Sequence, residues 1–214
     1  ALLAQYPQED FCGGTARRLG KNLWCLQRGG LYTVEGRTLL TLGGGESLDK
    51  ESREEGVTWW PAELPSEEEY ARCDAALEAC GGKVDFILTH DAPARLLSFL
   101  RLNRDSVLYE ENALELYLDG LMKRAKYTMW CFGRYHLDQK MGSSASAVYR
   151  QAPAPTRSDA SIWKSTAITT ACTAIAGKAF PLQRRPAPRI RRWRMCLPTT
   201  KPPRIKFTAA WSPG

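Results

Sequence analysis

The chain has 214 residues, 43% of them hydrophobic, which is enough apolar surface for one packed domain with or without a tail. It has no apolar run of about 18 residues, so no membrane-spanning helix and no membrane partner are expected. Ala1-Leu2-Leu3-Ala4-Gln5-Tyr6-Pro7 lacks the basic and long apolar regions of a signal peptide, and seven cysteines without a CxxC pair suit reduced thiols in a cytoplasmic protein better than a disulfide framework or structural zinc.

The net charge of +7 is unevenly spread. Residues 1–141 hold 17 Lys and Arg against 22 Asp and Glu, a net of −5. Residues 142–214 hold 13 Lys and Arg against one acid, Asp159, a net of +12. Basicity is therefore a property of the last third and says nothing about partners of the rest.

In chain order, Leu31-Tyr32-Thr33-Val34 and Arg37-Thr38-Leu39-Leu40-Thr41-Leu42 are β-rich runs joined at Glu35-Gly36, a hairpin signal. Gly43-Gly44-Gly45 ends the second run. It offers a phosphate-binding nest or, lacking the Lys-Ser/Thr of a P-loop, a plain strand-to-loop turn. Trp59-Trp60 suits a packed loop or lid, or stacking on a base. Ser66 with Glu69 is a capping box, and Glu67-Glu68-Glu69 reads as a solvated first turn facing the helix dipole. Tyr70, Cys73, Leu77 and Cys80 continue at helical spacing until Gly81-Gly82.

Val84 to Thr89 predicts a strand ending at His90. Asn112 to Arg124 predicts an amphipathic helix with Leu114, Tyr117, Leu118 and Leu121 on one face. Tyr127 to Phe132 predicts a third buried strand, ending at Gly133. Hairpin, helix, strand, helix, strand is the alternation of a layered α/β domain.

Residues 142–214 hold nine of the thirteen prolines, with basic clusters at Arg184-Arg185 and Arg189 to Arg194. The segment is expected to be an irregular, disordered or non-native basic tail, with only Ile162 to Ala179 weakly structured. Arg clusters beside Trp193 would also suit contact with a nucleic-acid backbone.

Only two histidines occur, His90 and His136, each just past the carboxyl end of an expected strand, where layered α/β proteins gather ligands. Neutral imidazole is a good ligand for zinc, manganese or iron, although a histidine at a strand end also serves as a plain polar loop residue. No G-x-S-x-G nucleophile elbow is present, which argues against a serine hydrolase.

These segments resemble the calcineurin-like metallophosphoesterase family, whose site is built from D-x-H, G-D, G-N-H, an isolated His and G-H-x-H. Ile87-Leu88-Thr89-His90-Asp91-Ala92-Pro93 is similar to the fourth motif, and Phe132-Gly133-Arg134-Tyr135-His136 to the fifth. Leu42 to Lys50 and Thr58-Trp59-Trp60-Pro61 resemble a bacterial and phage branch of that family.

The resemblance covers roughly residues 5 to 141. It implies an α/β fold, a partial two-sheet β-sandwich with flanking helices, followed by the basic tail. It implies a hydrolase of phosphate esters with two divalent ions (Mn, Fe or Zn), His90 and His136 as metal ligands, and a phosphate-ester substrate. Catalytic and substrate-binding residues are not assigned.

Two departures stand out. D-x-H, G-D and G-N-H are absent, so the chain is expected to be the C-terminal part of such a domain and inactive by itself. Arg134 stands where the family has a metal-binding His, and a guanidinium does not ligate a cation. The alternative reading is a non-catalytic, basic nucleic-acid-binding protein on a decayed phosphoesterase scaffold.

Overall fold

The computed structural model describes residues 2–21, 23–101, 111–150 and 206–207. Ten strands and three α-helices fall in these segments. They are β1 (Gln8–Phe11), β2 (Gly14–Gly20), β3 (Leu23–Leu26), β4 (Gly30–Val34), β5 (Arg37–Leu42), α1 (Glu67–Ala79), β6 (Lys83–Thr89), α2 (Ala94–Arg101), α3 (Ala113–Arg124), β7 (Lys126–Phe132), β8 (Gln139–Met141), β9 (Ala145–Ala147) and β10 (Lys206–Phe207). The fold is mixed α/β with two sheets. The smaller has the order β1-β2-β3-β10, the larger β4-β5-β6-β7-β9-β8.

The hairpin forms where its turn residues predict. Glu35 and Gly36 both take positive φ, 50° and 75°, the pair of left-handed residues that a two-residue turn requires. From β5 onward the large sheet is parallel through β6 and β7. Leu42, Thr89 and Phe132 are paired in register, so these three strands end at one edge.

Side chains alternate across this sheet because strand residues point to opposite faces. Leu39, Phe86, Leu88, Met129 and Cys131 meet Phe11, Ala16 and Trp24 of the small sheet in one core. Leu40, Leu42, Ile87, Trp130 and Phe132 face the helices in a second core with Cys73, Leu77, Leu97, Leu114, Leu118 and Leu121. Each fully buried Leu or Phe contributes about 1.5–3 kcal/mol of transfer free energy, so the two faces of this sheet dominate the stability.

Both longer helices carry a complete capping box. Ser66 and Glu69 close the start of α1. Asn112 and Glu115 close the start of α3, each accepting the other's backbone N–H at 3.0 Å. Lys123 and Arg124 stand in the last turn of α3, where the helix dipole favours cations. Asp74 ties α1 to α3 by accepting from the Tyr117 hydroxyl and from Arg124, both at 2.8 Å. None of these helices is long and apolar enough to cross a membrane, a statement that does not bear on strands.

The expected domain boundary lies at 141/142. The charge step there is real, but the sheet continues past it. β9 lies between β7 and β8, with Ala145, Ser146 and Ala147 all buried, and Val148 joins the core between the sheets. Small Ala and Ser side chains carry little hydropathy signal, yet they suit a strand covered on both faces. Lys206–Phe207 pairs in parallel with Leu23 and Trp24. The basic clusters at 184–185 and 189–194 and the weakly structured stretch at 162–179 lie outside the described residues.

Asp119 joins α2 to α3 and yields a pH prediction. Arg95 donates to it through Nε at 2.6 Å and Nη2 at 3.2 Å, and Lys123 sits 2.9 Å away. The Arg95 hydrogen bond is the main reason its carboxyl falls to about 2. A depressed carboxyl gives stability that is present above its unfolded value of about 3.9 and is lost as pH falls through the folded value. Asp119→Asn is therefore expected to remove the part of the acid-unfolding slope that lies between those two values. Urea midpoints measured across that window check it; an unchanged slope would show that this ion pair, with Arg95 exposed, is fully screened.

Candidate functional site

The shared edge of β5, β6 and β7 gathers three loops: Gly43 to Ser47, His90 to Pro93, and Gly133 to His136. Gly133 N–H donates to His90 O at 3.1 Å and joins the second loop to the third. Gly45 N–H donates to Glu63 O at 3.1 Å. The short 3-10 turn Pro61–Glu63, which follows Trp59-Trp60, thereby holds the glycine loop in place. Glu63 is 2% exposed; its Oε2 accepts from Ser47 N–H at 3.0 Å. Its Oε1 and the indole nitrogen of Trp59 are buried and make no hydrogen bond among the described residues.

Asp91 is the centre of this edge and is fully buried. Its Oδ1 accepts from Ala92 N–H at 2.9 Å and from the Tyr135 hydroxyl. Its Oδ2 lies 3.1 Å from Arg134 Nη1, off the line of a hydrogen bond, so it takes an ion pair alone. Burial first, then the Asp91 charge, raises the Tyr135 phenol well above its ordinary pKa, which keeps it a donor. Beneath the edge, Trp130 Nε1 donates to Thr89 Oγ1 at 2.9 Å, and that hydroxyl donates to Asp91 O at 2.6 Å. Trp130, Thr89 and Asp91 are thus linked in series, as a low-dielectric interior demands, while Asp91 Oδ2 relies on its ion pair.

Arg134 also donates to Glu46 O. Its Nη1 lies 2.2 Å, and His90 Cδ2 3.1 Å, from where a β-carbon on residue 45 would stand. Gly45 therefore leaves room for guanidinium and imidazole to crowd the same spot. Arg134 and His136 both take left-handed φ, 59° and 53°, a region that side-chain-bearing residues rarely occupy. Through this tight turn Arg134 and Tyr135 both reach Asp91 while His136 turns outward. Arg134 is half-buried towards Asp91, whereas His136 is exposed and stacks on Tyr149 with ring centroids 4.8 Å apart.

The expected site residues thus reach the same edge but have different surroundings. Among the described residues no group of three His, Cys, Asp or Glu side chains could hold a metal ion. The donors present are His90 and Asp91, both beside a fixed guanidinium, and an outward His136. By themselves these residues do not fit the two-ion group that the resemblance implies. Asp91, Tyr135 and Glu63 are the polar residues of the edge that the sequence reading did not single out. Asp91 had one available signal, an acid directly after an apolar strand and ahead of Ala92-Pro93.

Comparison with known proteins finds no matching family model, no matching curated protein and no matching solved structure.

Proposed function

We propose that the chain is part of a phosphate-ester hydrolase of the calcineurin-like metallophosphoesterase type, contributing the carboxyl-edge loops of its site and not the whole site. The observation that supports this reading is the in-register parallel pairing of β5, β6 and β7. It brings the two segments that resemble the fourth and fifth motifs, together with the glycine loop, to one edge. Phosphoryl transfer asks mainly for positioning and charge stabilisation, and strand ends joined by short loops are suited to positioning.

The metal part of this reading is carried by the resemblance alone. D-x-H, G-D and G-N-H segments would have to come from outside these 214 residues, and Arg134 would have to be displaced before His90 could serve an ion.

The test compares two proteins on an aryl phosphate with manganese. The chain alone is expected to give no turnover. A fusion of the Arg134→His chain to an upstream segment carrying the three missing motifs is expected to gain turnover, which chelator and His90→Ala both abolish. A folded fusion inactive on aryl phosphates and on phosphodiesters would overturn the reading. Turnover by the chain alone would overturn the claim that its site is partial.

A further inference from the structure

We propose that the Arg134 guanidinium is the resident cation of this edge, occupying the place beside His90 and Asp91 that a divalent ion would need, and that it keeps the edge free of metal. A wholly buried carboxylate requires a positive partner, because desolvation of an unpaired charge is severe. Here that partner is tethered to the chain. Arg134 Nη1 stands 3.1 Å from Asp91 Oδ2, and the other terminal nitrogen donates to Glu46 O.

Three features fix the guanidinium there. Arg134 takes a left-handed φ, and its side chain is only 15% exposed against Asp91. Residue 45 is glycine, and any β-carbon there would collide with Nη1 at 2.2 Å. The His90 ring closes the same space at 3.1 Å from that point. Arginine stays charged at every accessible pH, so protonation changes cannot vacate the place. A second cation beside it would meet like-charge repulsion in a partly buried setting, where screening is weak. His136, the only other imidazole, is exposed and engaged with Tyr149, so it adds no ligand to offset that repulsion.

It follows that the edge is a latent divalent-cation site. Removing the positive charge leaves a buried carboxylate and an adjacent imidazole, hard and borderline ligands that suit manganese.

The chain's two histidines allow a direct reading on the full 214-residue protein. Their ring signals are separated by NMR with the help of His136→Gln, and Mn2+ is added as a paramagnetic probe. In the wild-type chain the His90 signals are expected to stay sharp up to about 1 mM Mn2+, and in Arg134→Gln to broaden at concentrations about tenfold lower or less. Arg134→Lys, which keeps the charge, is expected to follow wild type. Asp91→Asn added to Arg134→Gln is expected to cancel the gain.

Should Arg134→Gln fail to fold, Gly45→Ala takes its place, since the new methyl pushes the guanidinium away and is likewise expected to admit Mn2+. Two results would overturn the proposal. One is His90 broadening in wild type at the concentrations that affect the variants. The other is a folded variant of either kind with no response. The readout is ion binding, so it stands apart from whether any fusion hydrolyses a phosphate ester.

Discussion

Ending the chain after Met141 is expected to abolish its cooperative unfolding transition, whereas ending it after Arg150 is expected to preserve that transition. The nine residues between the two ends carry β9 and its anchors. β9 pairs with β7 through Trp130, Cys131 and Phe132, and with β8 through Gln139, Lys140 and Met141. Trp130 N–H donates to Ser144 O and Val148 N–H to Phe132 O, both at 2.8 Å. Tyr149 and Arg150 N–H donate to Asp138 Oδ1 at 2.7 and 2.9 Å, which closes the segment onto the sheet. Loss of Ala145, Ala147 and Val148 removes roughly 3–4 kcal/mol of burial, and each lost ladder bond removes about 1 kcal/mol more. That sum approaches the whole stability of a typical domain, about 5–15 kcal/mol. It would also leave β7 as an open apolar edge, a template for aggregation. Thermal unfolding of the two truncated chains, followed by near-UV circular dichroism, decides the matter. A sharp transition in the shorter chain would show that β9 is dispensable; a lost transition in the longer one would show that β10, which pairs with β3, is needed to hold the fold.

How much of this was legible depends on the strength of each local signal. The β4–β5 hairpin, α1, β6, α3 and β7 could all be read because each combines a marked period with punctuation: Glu35-Gly36, two capping boxes, Gly81-Gly82 and Gly133. The small sheet could not. β1 is Gln-Glu-Asp-Phe, with only Phe11 buried, and β2 carries two consecutive arginines. Their pairing comes from contact with the large sheet across Phe11, Ala16 and Trp24, a tertiary effect that overrides weak local preference. α2 is short, and its Leu96, Leu97 and Leu100 spacing follows Pro93 too closely to stand out from a loop. β9 was hidden by its small side chains and by a charge step that coincides with its start. At the site, the position of His90 and His136 at strand ends was visible, but their differing roles were not. Those depend on the register of β6 against β7, which sets Asp91 opposite the 133–136 turn, and on two left-handed residues that no pattern in Arg134-Tyr135-His136 announces.

Asp91→Ala is expected to cost about 3–5 kcal/mol of folding stability, the usual consequence of removing one partner from a buried ion pair. Two donors lose their acceptor, the Tyr135 hydroxyl and Ala92 N–H, and the Arg134 guanidinium, whose side chain is only 15% exposed, loses its ion-pair partner. The guanidinium dominates, because it keeps its charge and, among the described residues, has Glu46 O left to receive it. Asp91→Asn is expected to fall between wild type and Asp91→Ala, since its side-chain oxygen still accepts from Ala92 and Tyr135 but leaves Arg134 without a counter-charge. The double variant Asp91→Ala with Arg134→Met is expected to be more stable than Asp91→Ala alone, because it removes the stranded charge along with its partner. Urea unfolding of the four proteins measures the coupling. If Asp91→Ala costs less than about 1 kcal/mol, or if the double variant is the least stable of the set, then Asp91 and Arg134 do not act as a unit, since groups that share one interaction show coupling of about 0.5–3 kcal/mol. A large coupling would instead locate the stability of this edge in a single charge pair, the same pair that holds the turn at 133–136 against the end of β6.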